Sequence, residues 1–361
     1  MKKLILIVAA GLIFAAFASA QVPTVTHIQI LKAEDARRYD SVLEGLLKSP
    51  NAGIRARAAL ASGRIGDEKA IPALASLLEK DTNDDVRAMA AFALGEIESV
   101  KAAAVIIKEI KSDTRPGTPG GVPTLTLKPA NVTARLIEAA GKIAAANAKD
   151  ESAKALGKVI LEVLDVEANK TFGQDRTTVI VGLTAVLRVR PEGGEVTAAN
   201  FLLSKDGRIR TDAGNTMARL RAKNASATLR DMVENDKEPT ARANAARALG
   251  AAEDKTAYEL LLKAATSDID SRVRISAIRA LGSLKDAKAA EKLIERANYF
   301  LIPMHGDPGP IKPGQKTGNL KPIEIPIPKS ELLEIATVLS RLLANTENDK
   351  AIEFLTKLRI A

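Results

Sequence analysis

The 361-residue sequence contains no cysteine and no tryptophan, only two histidines, and 3% aromatic residues. Without cysteine the chain can form neither disulfides nor thiolate metal ligands. Neither His27 nor His305 has a second histidine nearby in the sequence, so we expect no metal site. The few aromatic side chains offer few platforms on which nucleic-acid bases could stack. These absences argue against metal and thiol enzymes and weaken the case for nucleic-acid binding.

The sequence also lacks a recognisable catalytic arrangement. Residues 309–317 resemble a phosphate-binding loop, but their spacing is one residue too long, and no strand precedes them. Their prolines also remove N–H donors that such a loop needs. Carboxylates fall at helix starts and on solvated faces rather than as an isolated pair on an apolar face. We therefore expect a protein that is not an enzyme and that carries no cofactor or metal.

The first twenty residues have the pattern of an export signal. Lys2 and Lys3 precede an apolar run from Leu4 to Phe17, and small residues end the segment at Ala20. This order is typical of a secretory signal peptide; the run is short for a membrane anchor. We expect cleavage after Ala20, a periplasmic or extracellular location and no stable membrane insertion. Cleavage would lower the formal charge from +9 to +7, which permits attraction to anionic surfaces without identifying one.

The remaining sequence is organised around a repeat. The stretch 84–97 repeats the pattern of 52–65, and the stretches 239–251 and 271–284 carry it again. Apolar residues recur at helical spacing, alanines allow a neighbouring helix to come close, and Gly95 is expected to help end its helix. Helices of a second type separate these stretches. Because one helical pair cannot bury its apolar faces alone, the pattern predicts an all-α solenoid of about eight stacked pairs plus a trailing helix.

Two segments carry a family resemblance. VRAMAAFALGEI, at 86–97, and AIPALASLL, at 70–78, resemble the HEAT repeat, particularly the short variety found in phycobilin-lyase proteins. The match is strongest over residues 51–110 and 240–297. The resemblance implies that the first helix of each pair lines the concave side of the solenoid.

Other stretches resemble a larger architecture. HIQILKAEDARRYD, LTAVLRVRPEGG and SAIRALGSLKDAKAAEKL are similar to the N-terminal HEAT arm of exported bacterial proteins that end in a cyclophilin-type prolyl isomerase domain. The present sequence stops at Ala361 without the pattern of that barrel or its active-site motifs. The resemblance therefore implies a client-presenting arm, truncated or split from its isomerase, and carries no activity over.

The predicted organisation has five parts. After the signal peptide we expect an extended leader at 21–33 and a solenoid over 34–297, which begins with a helix at 34–48. Two segments rich in proline and glycine interrupt the helical pattern at 112–130 and 298–330. Both insertions join a second helix to the next first helix, so both should project from one edge. Residues 331–361 form a final helical pair, whose last helix is expected to leave an apolar side open.

Arginine recurs at one position of the repeat, as Arg55, Arg87, Arg210, Arg242 and Arg274. Copies one repeat apart should form a ladder. We expect them to bind cap carboxylates, such as those of Asp84 and Asp270, or carbonyl groups of the next repeat. This ladder is interpreted as structural.

A different face of the first helices is the candidate binding surface. It should form a groove of mixed character with a basic bias, in which Leu60, Met89 and Phe92 offer apolar side chains to a protein partner. The candidate residues are Arg57, Leu60, Arg64, Met89, Phe92, Arg135, Lys142, Arg219, Arg247 and Arg279.

Three functions remain open at this point. The first is an exported, non-enzymatic scaffold that binds a protein or peptide along the groove. The second is the client-presenting arm described above, and the third is a binder of nucleic acid or another anionic polymer. Export, few aromatic residues and modest charge disfavour the third. The sequence identifies neither the partner nor the oligomeric state, and a homo-oligomer through the C-terminal helix is one further expectation.

Overall fold

The computed structural model describes residues 22–111, 114–115, 124–125, 127–170, 172–305, 329–344 and 346–360. The predicted signal peptide and most of the two predicted insertions lie outside these residues. Among the described residues, no helix is both long and apolar enough to cross a membrane.

The described residues contain eighteen α-helices. In chain order they are α1 (Thr24–Asp35), α2 (Ser41–Leu46), α3 (Ala52–Ile65), α4 (Ile71–Lys80), α5 (Asp84–Ile97), α6 (Ala103–Lys111), α7 (Ala130–Ala146), α8 (Glu151–Ala168), α9 (Arg176–Val189), α10 (Gly194–Asn200), α11 (Gly207–Leu220), α12 (Ser226–Asn235), α13 (Pro239–Ala251), α14 (Tyr258–Ser267), α15 (Ser271–Leu284), α16 (Ala289–His305), α17 (Lys329–Leu342) and α18 (Asp349–Ile360). Short 3₁₀ helices, including Glu68–Ala70, Val100–Ala102 and Lys255–Ala257, precede some of them.

From α3 onwards the helices form consecutive pairs. We call the odd-numbered helices α3 to α17 the first helices and the even-numbered helices α4 to α18 the second helices. Each first helix packs against a neighbouring first helix, and most also pack against the second helix that precedes them in the chain. The all-α architecture of stacked HEAT-like pairs predicted from the sequence is thereby confirmed.

The chain divides into two compact units, Met1–Thr197 and Ala198–Ala361. The described part of unit one contains the first helices α3, α5, α7 and α9. The first helices of unit two are α11, α13, α15 and α17. Each unit has its own core of alanine, leucine, isoleucine and valine side chains, as expected for a composition poor in aromatic residues.

Close approach between neighbouring first helices depends on glycine. A Cβ atom added at Gly63 would lie 2.6 Å from the Cα of Ala93, and one added at Gly95 would lie 2.7 Å from the Cα of Ala139. In unit two, a Cβ atom at Gly250 would lie 2.6 Å from the Cα of Ala280. Helix backbones therefore touch at these positions, where any side chain would overpack the contact.

The role predicted for Gly95 was therefore wrong. Gly95 lies inside α5, which ends at Ile97, and the residue with left-handed backbone is Glu98 (φ 55°). Its missing side chain serves helix packing instead of helix termination. The sequence pattern did not distinguish the two roles because a glycine close to a helix end is typical of both.

The predicted extended leader at 21–33 was also wrong. Residues 24–35 form α1, which follows Pro23 directly. Alternating valine, threonine and isoleucine favour a strand by local propensity. Here Ile30 is fully buried and the Glu34 side chain bonds Arg57 of α3, so tertiary contacts override that propensity.

The predicted single helix at 34–48 is two segments. α1 ends at Asp35, and α2 begins after Asp40, whose side chain accepts hydrogen bonds from the Val42 and Leu43 N–H groups. An aspartate that satisfies free N–H groups in this way starts a new helix.

The boundaries of both insertions also differ from the prediction. Helix α16 continues to His305, so residues 298–305 are helical, and α17 begins at Lys329. In the first insertion, Thr114–Arg115 and Thr124–Leu125 pair as a two-residue antiparallel ladder, and α7 begins at Ala130. The last helix was expected to leave Ile352, Phe354, Leu355 and Leu358 open; Ile352 and Leu355 of α18 are exposed and Leu358 is half-buried, but Phe354 is fully buried.

Candidate partner-binding face

The repeated arginines lie where second helices lead into first helices. Arg55 donates from Nε and Nη2 to the two carboxylate oxygens of Asp81, at 2.6 and 2.9 Å, and from Nη1 to the Ser49 carbonyl at 2.8 Å. Arg210 bonds Asp236 and the Ser204 carbonyl in the same way. Each arginine thus connects the loop before its own helix to the loop before the next first helix.

Arg242 repeats this arrangement in unit two with Asp268, at 2.9 and 3.0 Å. In the complete copies the carboxylate residue directly follows a second helix and also accepts a backbone N–H two residues further on. The bidentate geometry and shared loop contacts favour a fixed position for each guanidinium group. The structural reading of the ladder is supported, although the main carboxylate partners differ from those predicted.

Ion pairing within the ladder shifts the pKa values of several of its carboxylates and guanidinium groups. Burial opposes ionisation of Asp81 and Asp236, yet hydrogen bonds from Arg55 and Arg210 and from backbone N–H groups hold the pKa of each carboxyl below its usual value. Hydrogen bonds to these carboxylates raise the pKa of Arg55 and Arg210. Both partners therefore stay charged at neutral pH.

Two members of the ladder stand next to the insertions and have different partners. Arg274 bonds Glu331, a fully buried carboxylate that also accepts a hydrogen bond from Arg296. Arg87 pairs with Asp84 of its own helix, as predicted, while its buried Nε atom has no partner within the described residues. Glu331 therefore replaces the regular aspartate beside the second insertion, whereas Asp113, the equivalent of Asp81 in the copy with Arg87, lies outside the described residues.

The predicted groove corresponds to the face of the first helices that points away from the second helices. Three positions per helix recur on this face. In unit one they are Arg57, Leu60 and Arg64 on α3, Met89, Phe92 and Glu96 on α5, and Arg135, Glu138 and Lys142 on α7. In unit two they are Asp212, Asn215 and Arg219 on α11, Asn244, Arg247 and Ala251 on α13, and Ser276, Arg279 and Ser283 on α15.

Most of the cationic side chains on the unit-one face form ion pairs with carboxylates. Arg57 forms two hydrogen bonds with Glu34, at 3.1 and 2.5 Å, and both side chains are largely buried. Arg64 lies 3.5 Å from the same carboxylate. Burial opposes ionisation of Glu34, but the hydrogen bond from Arg57 holds its pKa below the usual value. These cations are therefore already paired within the unit.

Further along the same face, Lys142 bonds both Glu96 and Glu138, while Arg135 bonds Glu138 at 2.5 Å. The Lys142 Nζ atom also lies 4.4 Å from the ring centre of Phe92, and the Arg135 Cζ atom lies 5.0 Å from it. These distances allow cation–π attraction. Phe92 is enclosed by its neighbours rather than presented as an exposed apolar residue.

The expectation that Leu60, Met89 and Phe92 are exposed was therefore wrong. All three are half-buried. The helix pattern places them off the main apolar stripe, yet each is partly shielded from solvent, and over Phe92 the shielding groups are the charged ends of Lys142 and Arg135. Their apolar surface contributes to packing within unit one.

On the unit-two face fewer of the cationic side chains are paired with carboxylates. Arg219 is exposed and has no bonded partner within the described residues. Arg247 is exposed, and it donates a hydrogen bond to the amide oxygen of Asn244 at 3.1 Å. Arg279 bonds Glu334 at 2.7 Å while 58% of its side chain stays accessible. Two guanidinium groups of this face therefore lack a carboxylate among the described residues.

Sequence reasoning missed one helix of the unit-one face. On α9 the equivalent positions are held by Val181, Thr184 and Arg188, of which Thr184 and Arg188 are exposed. Counting from the start of α9, as on the other first helices, would have found them. The described residues contain no group of three or more histidine, cysteine or acidic side chains arranged to hold a metal ion.

Comparisons with known proteins agree with this architecture. The HEAT-repeat family model matches residues 39–117 and 226–299, and curated protein sequences gave no match. YibA of E. coli is a similar solved structure, with a TM-score of 0.56 and 17% identity over 90% of this chain and 99% of its own. At that identity the likeness shows the fold alone.

Two further solved structures are similar in part. The CpcE–CpcF complex of phycocyanin lyase from Nostoc sp. has a TM-score of 0.39 and 17% identity, over 90% of this chain and 95% of that chain. Kap121p bound to Nup53p has a TM-score of 0.49 and 13% identity, over 97% of this chain and 43% of that chain. Nothing about function follows from likenesses at these TM-scores. The matches establish HEAT repeats at residues 39–117 and 226–299, and stacked helical pairs continue through the other described parts of the chain.

Proposed function

We propose that the chain is an exported, non-enzymatic scaffold that binds an acidic segment of a protein or peptide partner on the first-helix face of unit two. The observation that carries this proposal is the pair of exposed arginines, Arg219 and Arg247, which have no carboxylate partner within the described residues. Uncompensated charge on a protein surface attracts a partner of opposite charge and orients it.

The character of the face supports a polypeptide partner. Arg279 adds a third accessible cation, and the side-chain amide of Asn215 lies on the same face as a donor for a peptide carbonyl, while that of Asn244 already donates to the Thr211 carbonyl. Aromatic side chains, on which nucleic-acid bases would stack, are absent from the face positions of α11, α13 and α15. An acidic peptide therefore matches the face better than a single-stranded nucleic acid.

The proposed export depends on the sequence of residues 1–20, where two lysines, an apolar run and a small-residue end follow one another. An exported scaffold would meet its partner in the periplasm or outside the cell. Cell fractionation tests this part independently: mature protein that starts at Gln21 is expected in the exported fraction, whereas full-length cytoplasmic protein would contradict export.

Binding is tested with a fluorescent peptide that alternates aspartate and leucine. Replacing the two unpaired arginines, as R219E/R247E, should weaken peptide binding by about tenfold or more, since two attractive charges become repulsive. The matched control K223E/K237E makes the same change in net charge at exposed loop lysines. It should leave affinity within about twofold, because separated surface charges are screened by salt.

Two outcomes would contradict the proposal. One is equal loss of affinity in both double variants, which would reflect net charge rather than this face. The other is tighter binding of single-stranded DNA than of the peptide, with a steep dependence on salt, which would favour an anionic-polymer binder.

A further inference from the structure

Unit one contains a surface cavity where its repeat pattern is least regular. The cavity has a volume of about 520 Å³ and lies between the end of α7, the first half of α8 and the end of α9. Sites for small ligands fall in this size range. The irregular segment Arg190–Gly194, which joins α9 to α10, forms one side of it.

The second helix beside the cavity, α8, begins without the 3₁₀ turn that precedes some other second helices. In three other pairs a 3₁₀ turn precedes the second helix and places a fully buried alanine beneath it: Ala70, Ala102 and Ala257. Helix α8 instead begins directly after its N-cap, Asp150, and runs for 18 residues. Ala153, three residues after this N-cap, is the counterpart of those alanines; it is also buried and it borders the cavity.

Small and apolar residues form the floor of the cavity. They include Ala144, Ala145, Ala148, Ala153, Gly157 and Leu161. A Cβ atom added at Gly157 would lie 3.0 Å from the Cβ of Pro191, so the absence of a side chain there lets the α9–α10 segment pack closely. The floor can accept an aliphatic group without burying polar atoms.

The rim is strongly basic. Lys158, Arg188 and Arg190 line the cavity and are exposed, and none has an ionic partner within the described residues. Lys154 also lines it but is bonded to Glu151 at 2.9 Å. A single carboxylate, that of Glu192, belongs to the lining. Three unpaired cations beside an apolar floor suit a ligand that has one anionic end.

We infer that this cavity binds an aliphatic carboxylate, with the hydrocarbon group on the alanine floor and the carboxylate at Arg188 and Arg190. Guanidinium groups bind carboxylates through paired hydrogen bonds, which makes them well suited to this role. The same chemistry is offered by a free carboxylic acid and by the C-terminal end of an apolar peptide. This inference does not depend on the function proposed for unit two.

Calorimetric titration with sodium octanoate tests the site. Octanoate should bind at least about tenfold more tightly than octanamide, which lacks the charge, since a hydrogen bond to a charged group contributes roughly that factor. Acetate, which lacks the chain, should bind more weakly still. Acetyl-Ala-Leu-Leu with a free C-terminus, compared with its amide, identifies whether a peptide end is accepted as the source of the carboxylate.

Variants locate the binding. Arg188→Glu should weaken carboxylate binding by about tenfold or more, and Arg188→Gln should weaken it less. Lys149→Glu is the matched control, because Lys149 is exposed near the cavity but does not line it. Ala148→Trp should block access of the ligand to the cavity floor, because Ala148 is exposed and a larger side chain fits there without disturbing the core. An unchanged thermal unfolding temperature would show that each variant keeps its fold.

Binding of either probe that is lost in Arg188→Glu and kept in Lys149→Glu supports the site. A response to the peptide alone assigns it to polypeptide ends, and a response to octanoate alone assigns it to free acids. Failure of both probes to bind, or equal binding by wild type and Arg188→Glu, would overturn the inference. Neither result would affect the test on R219E/R247E, which uses a different unit.

Discussion

The first-helix faces of the two units derive from one repeat pattern but differ in the availability of their charges. On α3, α5 and α7 of the unit-one face, Arg57 and Lys142 are held by carboxylates and are largely buried; Arg188 on α9 is the exception, being exposed without an ionic partner in the described part of the chain. On the unit-two face, Arg219 and Arg247 are exposed without a carboxylate among the described residues. A basic residue at a face position is therefore a candidate for binding only when no neighbouring helix has already neutralised it.

Both units contain the arginine ladder. Removing one of its ion pairs should have the largest effect on the stability of the protein. Asp236→Asn keeps an acceptor for the Glu238 N–H but removes the charge that holds Arg210. Because both side chains are mostly buried, we expect a loss of about 2–4 kcal/mol in the free energy of unfolding. Urea titration measures it.

The control for this variant is Glu253→Gln, which breaks the exposed ion pair with Arg221. An exposed pair contributes little, so the change should stay below about 1 kcal/mol. If both variants lost the same stability, the ladder would be no more than a set of surface ion pairs.

Substituting a glycine at a contact between first helices should have the next largest effect on stability. Gly250→Ala places a Cβ atom 2.6 Å from the Ala280 backbone, and such overpacking should destabilise unit two by about 1–3 kcal/mol. Gly45→Ala is the matched control, since nothing lies within 4 Å of its added Cβ atom. That change should be neutral or stabilising by about 0.5–1 kcal/mol. Thermal unfolding of both variants decides whether helix contact or helix propensity governs these positions.

The comparison between faces is sharpened by Glu34→Gln. This change removes the carboxylate that Arg57 and Arg64 share and should lower the stability of unit one by about 1–2 kcal/mol. Glu44→Gln, at an exposed pair with Lys48, should have almost no effect. If Glu34→Gln changed the free energy of unfolding as little as its control does, Glu34 would not neutralise Arg57 and Arg64 in the way the structure indicates.

The sequence predicted the stacked helical pairs well because apolar periodicity and small residues act locally and repeat. It failed at residues 24–35, which form a helix that buries Ile30 and bonds Arg57 through Glu34. The same contact explains why the availability of Arg57 could not be read from its own helix: its partner, Glu34, lies on α1, which precedes the repeated helical pairs. Face positions follow from periodicity, whereas charge pairing between helices follows from packing.

Acid should produce the smallest of these effects. The pKa values of Asp81 and Asp236 are lowered in the folded chain, so their stabilising contribution is complete above the unfolded pKa of about 4 and is lost as pH falls through the lower folded values. The stability difference between wild type and Asp236→Asn should therefore shrink below that pH. A difference that grew on acidification would have the wrong sign for this linkage.

Arginine accessibility can be measured directly by brief modification with phenylglyoxal, followed by mass spectrometry of the digested protein. The structure predicts that Arg219 and Arg247 react faster than Arg57, and that Glu34→Gln selectively accelerates the reaction of Arg57. Equal rates for the three arginines in the wild-type protein, or fastest modification of Arg57, would contradict the proposed difference between the two faces.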